Sequence, residues 1–356
     1  MVENMPLGGK RQSNIEALRL LSMLMVLNLH SFWGYDYNHG SELFQVVDFF
    51  RESTSICAVN VFILISGYFG IKWKAKSFFN LIFQVLFYSF AVYLVAVLIG
   101  AIDFNKSEFL NCFKGLYKSW GFITSYVTLY FLSPWLNAFA ENTPSRTILL
   151  YILILFIAEN FIFLSTGVIN FCLLYIIGRL IHKTEMPNKL RVNANYSYWI
   201  VTFLIFVSVF ALYLKFHWDA ETMCRIVIAY SYSSPLIILQ AVFLFLIFSR
   251  IKIQSNFINW CASSCLAIFL IHMHPAIKYI GYYNYTESLY ELQVSEHILM
   301  LFFTISSVFF GSILIDKVRK LISDSIYCCL IKIYRKIPNK IKSFDTYLPN
   351  QLREII

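Results

Sequence analysis

Apolar residues in this chain run in long blocks separated by short polar connections. Stretches such as 78–100 and 147–165 are apolar on every face of a helix, whereas a half-buried strand would alternate with period two. Windows of about 17–25 mostly apolar residues, enough to cross a ~30 Å hydrocarbon core, recur from Ile15 to Ile315. The pattern predicts helices over 15–33, 46–71, 78–100, 119–139, 147–166, 167–182, 196–214, 225–249, 257–280 and 297–315. The block 147–182 is too long for one span and holds Gly167 and Asn170 near its middle, so it divides into a helical hairpin. The expected fold is all-α, a polytopic transmembrane bundle of about ten spanning helices.

Composition agrees. Of 356 residues, 58% are hydrophobic and only 14% charged, which leaves too little polar surface for a water-soluble exterior. In the ten-helix arrangement the cations of the short connections collect on one side: Lys10, Arg11, Lys72, Lys74, Lys76, Arg146, Arg179, Lys183, Lys189, Arg191, Arg250, Lys252, Lys317, Arg319 and Lys320. Cationic loops are retained in the cytoplasm, so both termini are expected there, in the plasma membrane of a bacterium. The opposite side carries Lys106, Lys114 and Lys118, but also Asp36, Glu42, Glu287, Glu291 and Glu296. The net charge of +9 thus reads as a topology device and as attraction to an anionic leaflet, with no separate basic domain for a nucleic acid.

The first helix lacks a small-residue cleavage site and is expected to stay as a permanent span. One membrane domain is expected over 1–320. Residues 321–356, with Ile322, Ile326, Tyr327, Leu330, Ile331 and Ile333 among Lys332, Arg335, Lys336, Lys340 and Lys342, read either as a basic amphipathic helix on the inner leaflet or as a disordered tail. The eight cysteines have no metal-ligand spacing, and no metal is expected. Cys112 and Cys224 fall on the oxidising side, where a disulfide between them is one option.

Ionisable residues inside a span cost roughly 2.5–3.5 kcal/mol each and tend to face a cavity or a partner. The first helix holds Glu16, Arg19 and His30. Arg19 and His30 are eleven residues apart, about three turns, ~16 Å of rise and only ~20° of rotation, so they share one stripe. A cation at the cytoplasmic end and an imidazole deep in the span suit a donor that enters from the cytoplasm: Arg19 to hold a phosphate, His30 to act as base or acyl acceptor. The competing reading makes Arg19 a snorkelling anchor and His30 a packing residue. Counted from their cytoplasmic ends, His30, His272, His274 and Glu159 lie at similar depth in the outer half. Glu159 either joins the histidines or hydrogen-bonds a neighbouring helix. Pro275 is expected to loosen the helix after His274. Trp33, Tyr35, Tyr37, Trp120, Tyr126, Trp218, Tyr230 and Tyr232 read as an outer aromatic belt, a minority of which could stack on sugars.

The spacing of Arg19 and His30 resembles the first-span signature of the membrane acyltransferase family 3. Further segments resemble that family in chain order: 60–68, Asn-Val-Phe-Ile-Leu-Ile-Ser-Gly-Tyr; 120–126, Trp-Gly-Phe-Ile-Thr-Ser-Tyr; 130–137, Tyr-Phe-Leu-Ser-Pro-Trp-Leu-Asn; and 266–272, ending Leu-Ile-His. The resemblance covers roughly 14–315. It implies an integral O-acyltransferase that takes acetyl or another short acyl group from cytoplasmic acetyl-CoA or acyl-CoA and delivers it to a hydroxyl of an extracytoplasmic or lipid-linked glycan. Carried over, it supports His30 and His272 at the chemistry, where Glu159 joins them on depth alone, and Arg19 on the donor, with Ser66, Lys72, Lys74 and Lys76 as further candidates for donor contact. The chain departs from the family where Asn60 replaces a frequent acidic residue and where lysines 72, 74 and 76 replace arginines, exchanging a bidentate fork for point charges. The main rival is a transporter or flippase for a lipid-linked sugar or an exporter of a small acylated compound. A glycan polymerase would need more external arginines than Arg51 and Arg225. Whether the chain forms a homo-oligomer is open.

Overall fold

The computed structural model describes residues 11–31, 42–114, 121–162, 167–184, 188–216 and 230–336. Their regular structure is all helical, with no strand among the described residues. The helices are α1 Ser13–His30, α2 Glu42–Ser55, α3 Ala58–Phe69, α4 Ala75–Leu98, α5 Lys106–Asn111, α6 Gly121–Asn142, α7 Ser145–Ile157, α8 Val168–Lys183, α9 Asn188–Phe216, α10 Pro235–Arg250, α11 Asn256–Ala262, α12 Cys265–His272, α13 Asn284–Ser288 and α14 Val294–Lys336. Four stretches are long and apolar enough to cross a membrane: Glu42–Phe69, Ser77–Leu98, Lys189–Lys215 and Val294–Ile322.

Helix accompanies each predicted apolar segment over its described part, but with different ends. The segment expected over 257–280 stops at His272, because Pro275 cannot continue a helix and disfavours helical backbone at the residue before it. It is also broken at Ser263–Ser264, where Ser263 Oγ turns back to the Trp260 carbonyl (2.8 Å). Within the segment expected over 225–249, which is described from Tyr230, α10 begins at Pro235, with proline in the first helical turn. The long block divides as expected, between a π-turn at Ala158–Ile162 and α8. The domain boundary expected at 320 falls inside α14, which runs on to Lys336. Trp33, Asp36, Trp120, Trp218, Cys224 and Arg225 lie outside the described residues.

Helix α3 is the hub. Val61, Ile63, Leu64 and Ile65 are wholly buried, and α1, α8 and α10 pack around them. The closest approach is to α8. A Cβ built on Gly67 would lie 2.2 Å from the Tyr175 carbonyl oxygen, and one on Gly178 would lie 2.5 Å from that of Leu64. Backbone therefore meets backbone, as only small residues allow. The Ser-Gly-aromatic segment thus supplies a packing contact at Gly67, while Ser66 Oγ donates to the Phe62 carbonyl of its own helix (2.9 Å).

Contacts sort the bundle into two ends. At one end Asn14 donates to the Phe248 carbonyl (3.0 Å), Tyr68 packs its ring on Phe245 (4.9 Å) and on His182 (5.1 Å), and Lys317 donates to the Trp260 carbonyl (2.5 Å). Arg11, Arg250 and Lys320 also bond here, to the carbonyls of Asn259 (3.3 Å), Arg191 (2.5 Å) and Ser263 (2.9 Å). Some of the cations here are structural. Lys183 Nζ caps the end of α6 through the carbonyls of Ala140, Glu141 and Thr143 at 2.8, 3.0 and 2.8 Å. Buried Asp316 takes hydrogen bonds from Tyr88 (2.9 Å) and Arg319 (2.8 Å), which ties α14 to α4.

Replacing Gly67 with alanine should drive α3 and α8 apart. Overpacking of this kind costs roughly 1–3 kcal/mol even where the neighbour is a side chain, and here it is backbone. Thermal denaturation of the detergent-solubilised protein should show Gly67→Ala melting well below wild type, while Gly311→Ala, which meets nothing within 4 Å, should match it.

Candidate functional site

The other end of the bundle carries the polar constellation. Helix α1 ends at His30 and α12 ends at His272, and their rings meet: His30 Nδ1 lies 2.8 Å from His272 Nε2, with ring centroids 5.1 Å apart. Both side chains are buried. The far nitrogen of His272, Nδ1, lies 2.6 Å from the Ile268 carbonyl oxygen. A carbonyl can only accept, so His272 carries its proton on Nδ1 and presents a lone pair at Nε2. His30 must then donate through Nδ1, which places its own lone pair on Nε2. The order of protons along the pair follows from one backbone carbonyl.

The walls of the pair are aromatic. Tyr282 packs edge-on against His272 (5.7 Å), and its hydroxyl donates to the Leu27 carbonyl of α1 (2.8 Å). Phe269 stands beside both imidazoles, at 6.4 Å from His30 and 6.0 Å from His272.

The residues flanking His30 are held from α2. Arg51 donates through Nε and Nη2 to Asn28 Oδ1 (3.2 and 3.1 Å), through Nη2 to Ser31 Oγ (2.6 Å) and through Nη1 to Asp48 Oδ1 (2.6 Å). Asn28 answers by donating to the Arg51 carbonyl (3.3 Å) and to Ser55 Oγ (2.8 Å), and Tyr290 donates to Asp48 Oδ2 (2.5 Å). His297 packs its ring, tilted by 52°, against Tyr290 at 4.4 Å. Positions two before and one after His30 are thus gripped by one guanidinium. Sequence reasoning missed this clamp. The available signal was an Asp-x-x-Arg pair, Asp48 and Arg51, inside an otherwise apolar segment.

The other predicted residues have these surroundings. Glu159 is buried in the π-turn, which packs against α8. His274 is a pin: Nε2 donates to the Ser89 carbonyl (3.0 Å) and Nδ1 accepts from Ala276 N–H (3.2 Å), joining this turn to α4. Asn60, where an acidic residue is frequent in the resembled family, donates to the Tyr232 carbonyl (2.7 Å).

Arg19 lies toward the basic end, 36% exposed, with Nη1 3.2 Å from Glu16 Oε1. Lys72 and Lys74 are exposed on the connection after α3, and the Lys76 side chain lies outside the described set. That connection is bracketed. Tyr130 OH donates to the Lys74 carbonyl and accepts from its N–H (3.0 Å each), Asn137 Nδ2 donates to the Ile71 carbonyl (2.9 Å), and Tyr175 OH accepts from Ile71 N–H (2.8 Å) while donating to Asn137 Oδ1 (2.7 Å). Tyr130 and Asn137 open and close the 130–137 motif, so its polar residues serve to fasten the lysine loop.

Removing Arg51 would leave Asp48 charged in an apolar setting with Tyr290 as its described partner, a loss of about 3–5 kcal/mol for breaking a buried pair. Arg51→Ala should therefore melt well below wild type, and Arg51→Met with Asp48→Leu should recover most of the difference. Melting in detergent measures both, and equal melting of Arg51→Ala and wild type would contradict the clamp.

No curated protein and no solved structure matches the chain significantly. A family model described as an acyltransferase domain matches residues 12–316, from the start of α1 to Asp316 of α14. With the histidine that ends α1 hydrogen-bonded to the histidine that ends α12, this multi-pass helical membrane protein belongs to acyltransferase family 3.

Proposed function

We propose that the protein is an O-acyltransferase of the bacterial inner membrane, moving an acetyl or short acyl group from cytoplasmic acyl-CoA to a hydroxyl of an extracytoplasmic or lipid-linked glycan. About ten helices span the bilayer, and the basic end with both termini lies in the cytoplasm. Support for this orientation comes from Arg11, Lys183, Arg250, Lys317 and Lys320, which bond at the end opposite the histidine pair. The donor's nucleotide stays at the basic end, with Arg19 and the lysines of residues 72–76 as its phosphate contacts and Ser66 nearby on α3. Its thioester reaches up the Arg19–His30 stripe.

The observation that carries the chemistry is the His30–His272 hydrogen bond. His30 Nε2 takes the proton of the acceptor hydroxyl, and the oxygen attacks the thioester carbonyl. The carbon–sulfur bond breaks, and the thiolate leaves with the proton that His30 returns. While His30 is cationic, its Nδ1–H points at the lone pair of His272, which the Ile268 carbonyl keeps in the accepting tautomer. His272 is a positioning residue and His30 is the base, by the logic of a base oriented by a third group. Because the same lone pair could itself attack the thioester, an acyl-histidine relay uses identical geometry. Trapping an acylated His30 by rapid quench and mass spectrometry separates the two routes.

Mass spectrometry of envelope glycans with and without the protein tests the function, and loss of one acyl mass per repeat is expected. In proteoliposomes, His30→Ala should lower the rate of CoA release by about 10²–10⁴-fold, the range of general-base catalysis. His272→Leu should lower kcat with little change in the KM for acyl-CoA, and His272→Gln should recover part of it. Wild-type rates in His30→Ala would refute the mechanism.

Arg19→Ala should raise the KM for acyl-CoA by about tenfold or more, since a charge-assisted contact is worth ~1.5–3 kcal/mol, and Arg19→Lys should restore part. An unchanged KM in both variants would make Arg19 a topology anchor.

A further inference from the structure

The mostly buried arginines are not equally occupied. Arg51 reaches Asp48, Asn28 and Ser31, and Arg319 binds Asp316 while facing the rings of Phe87 and Tyr88. Arg179, near the end of α8, differs. Its side chain is only 10% exposed, yet of its five N–H donors the described residues satisfy one, through Nη2 to Glu141 Oε1 at 3.2 Å. That carboxylate is 64% exposed, so the contact is a loose surface pair. Nε is buried with no hydrogen-bond partner. A buried guanidinium normally completes its hydrogen bonds, and one left open is costly.

The surroundings keep it open. Nη1 faces Gly70, where a Cβ would lie 2.8 Å away and where φ is +71°, a conformation that other residues rarely adopt. Gly70 is also the first residue after α3, leading into the bracketed connection with exposed Lys72 and Lys74. Lys183, one turn beyond Arg179, is by contrast fully engaged in capping α6. The end of α8 therefore divides its cations between a structural lysine and an arginine with spare donors beside two exposed lysines.

We propose that Arg179 is a phosphate-binding residue for the diphosphate of the nucleotide acyl donor, with Lys72 and Lys74 as flanking charges. This rests on the acyl-CoA reading above. Arg179 supplies the bidentate fork that lysines cannot provide, and the incoming phosphate displaces Glu141. The structural alternative is that the guanidinium only balances the carbonyl end of α3.

Isothermal titration of the full-length protein in nanodiscs with coenzyme A, and with pantetheine, which lacks the diphosphate, separates these readings. Wild type should bind coenzyme A far more tightly than pantetheine. Arg179→Gln should weaken coenzyme A by about 10–100-fold and leave pantetheine unchanged, with Arg179→Lys in between. Lys183→Gln should lower the melting temperature without changing coenzyme A affinity. Wild-type affinity in Arg179→Gln would overturn the assignment and leave the arginine as a helix-end counter-charge, while the donor reading stands. If Arg179→Gln does not fold, Arg179→Lys decides, and wild-type affinity there removes the fork. If wild type itself binds no coenzyme A, the donor reading fails and this inference with it.

Discussion

The contact between α3 and α8 organises the bundle. Gly67 and Gly178 let the two backbones touch, and in a protein solvated by lipid such close packing has to replace the hydrophobic drive that joins helices in water. Everything placed along α3 inherits its rigidity. Its flanks receive α1 and α10, and its end delivers the lysine connection to the bracket of Tyr130, Asn137 and Tyr175. Because α1 packs on α3 and α12, its terminal histidine arrives opposite the terminal histidine of α12.

The same apolar solvent explains the polar clusters. A buried polar atom gains little from water and finds its partner within the bundle, so hydrogen bonds here gather into networks. At the histidine end one network holds α1 to α2 through Arg51, and another holds α12 through its own Ile268 carbonyl. A neutral histidine as the second member of the pair avoids the cost of burying a carboxylate, yet still offers a lone pair to an imidazolium. At the opposite end the cations are shared between fastening helices and remaining exposed. That division of labour separates Lys183 and Arg319 from Arg19, Lys72 and Lys74.

Much was legible from residue order alone. Apolar block length determined an all-helical membrane protein, because lipid leaves the backbone no partner but itself. An eleven-residue spacing put Arg19 and His30 on one stripe, and depth counting put His30 and His272 at one level, since rise per residue is a property of the helix and not of its neighbours. Proline at 275 was visible as a local signal for where the helix that bears His272 ends, whereas the break at Ser263–Ser264 was not read.

What remained for tertiary structure was which groups at equal depth share a face of the bundle. Depth alone grouped Glu159 and His274 with the pair. Packing placed Glu159 in a π-turn against α8 and turned His274 toward Ser89 of α4. The proton order of His30 and His272 depends on a carbonyl whose position only the folded helix supplies. Arg51 and Arg179 look alike in sequence, each a cation near a span end, and only the acceptors brought by other helices separate a saturated clamp from an open fork. Sequence determines what each helix carries and how deep, because those follow from local geometry. Tertiary packing decides which polar groups meet, because hydrogen bonds between helices depend on rotations that the chain's own periodicity leaves free.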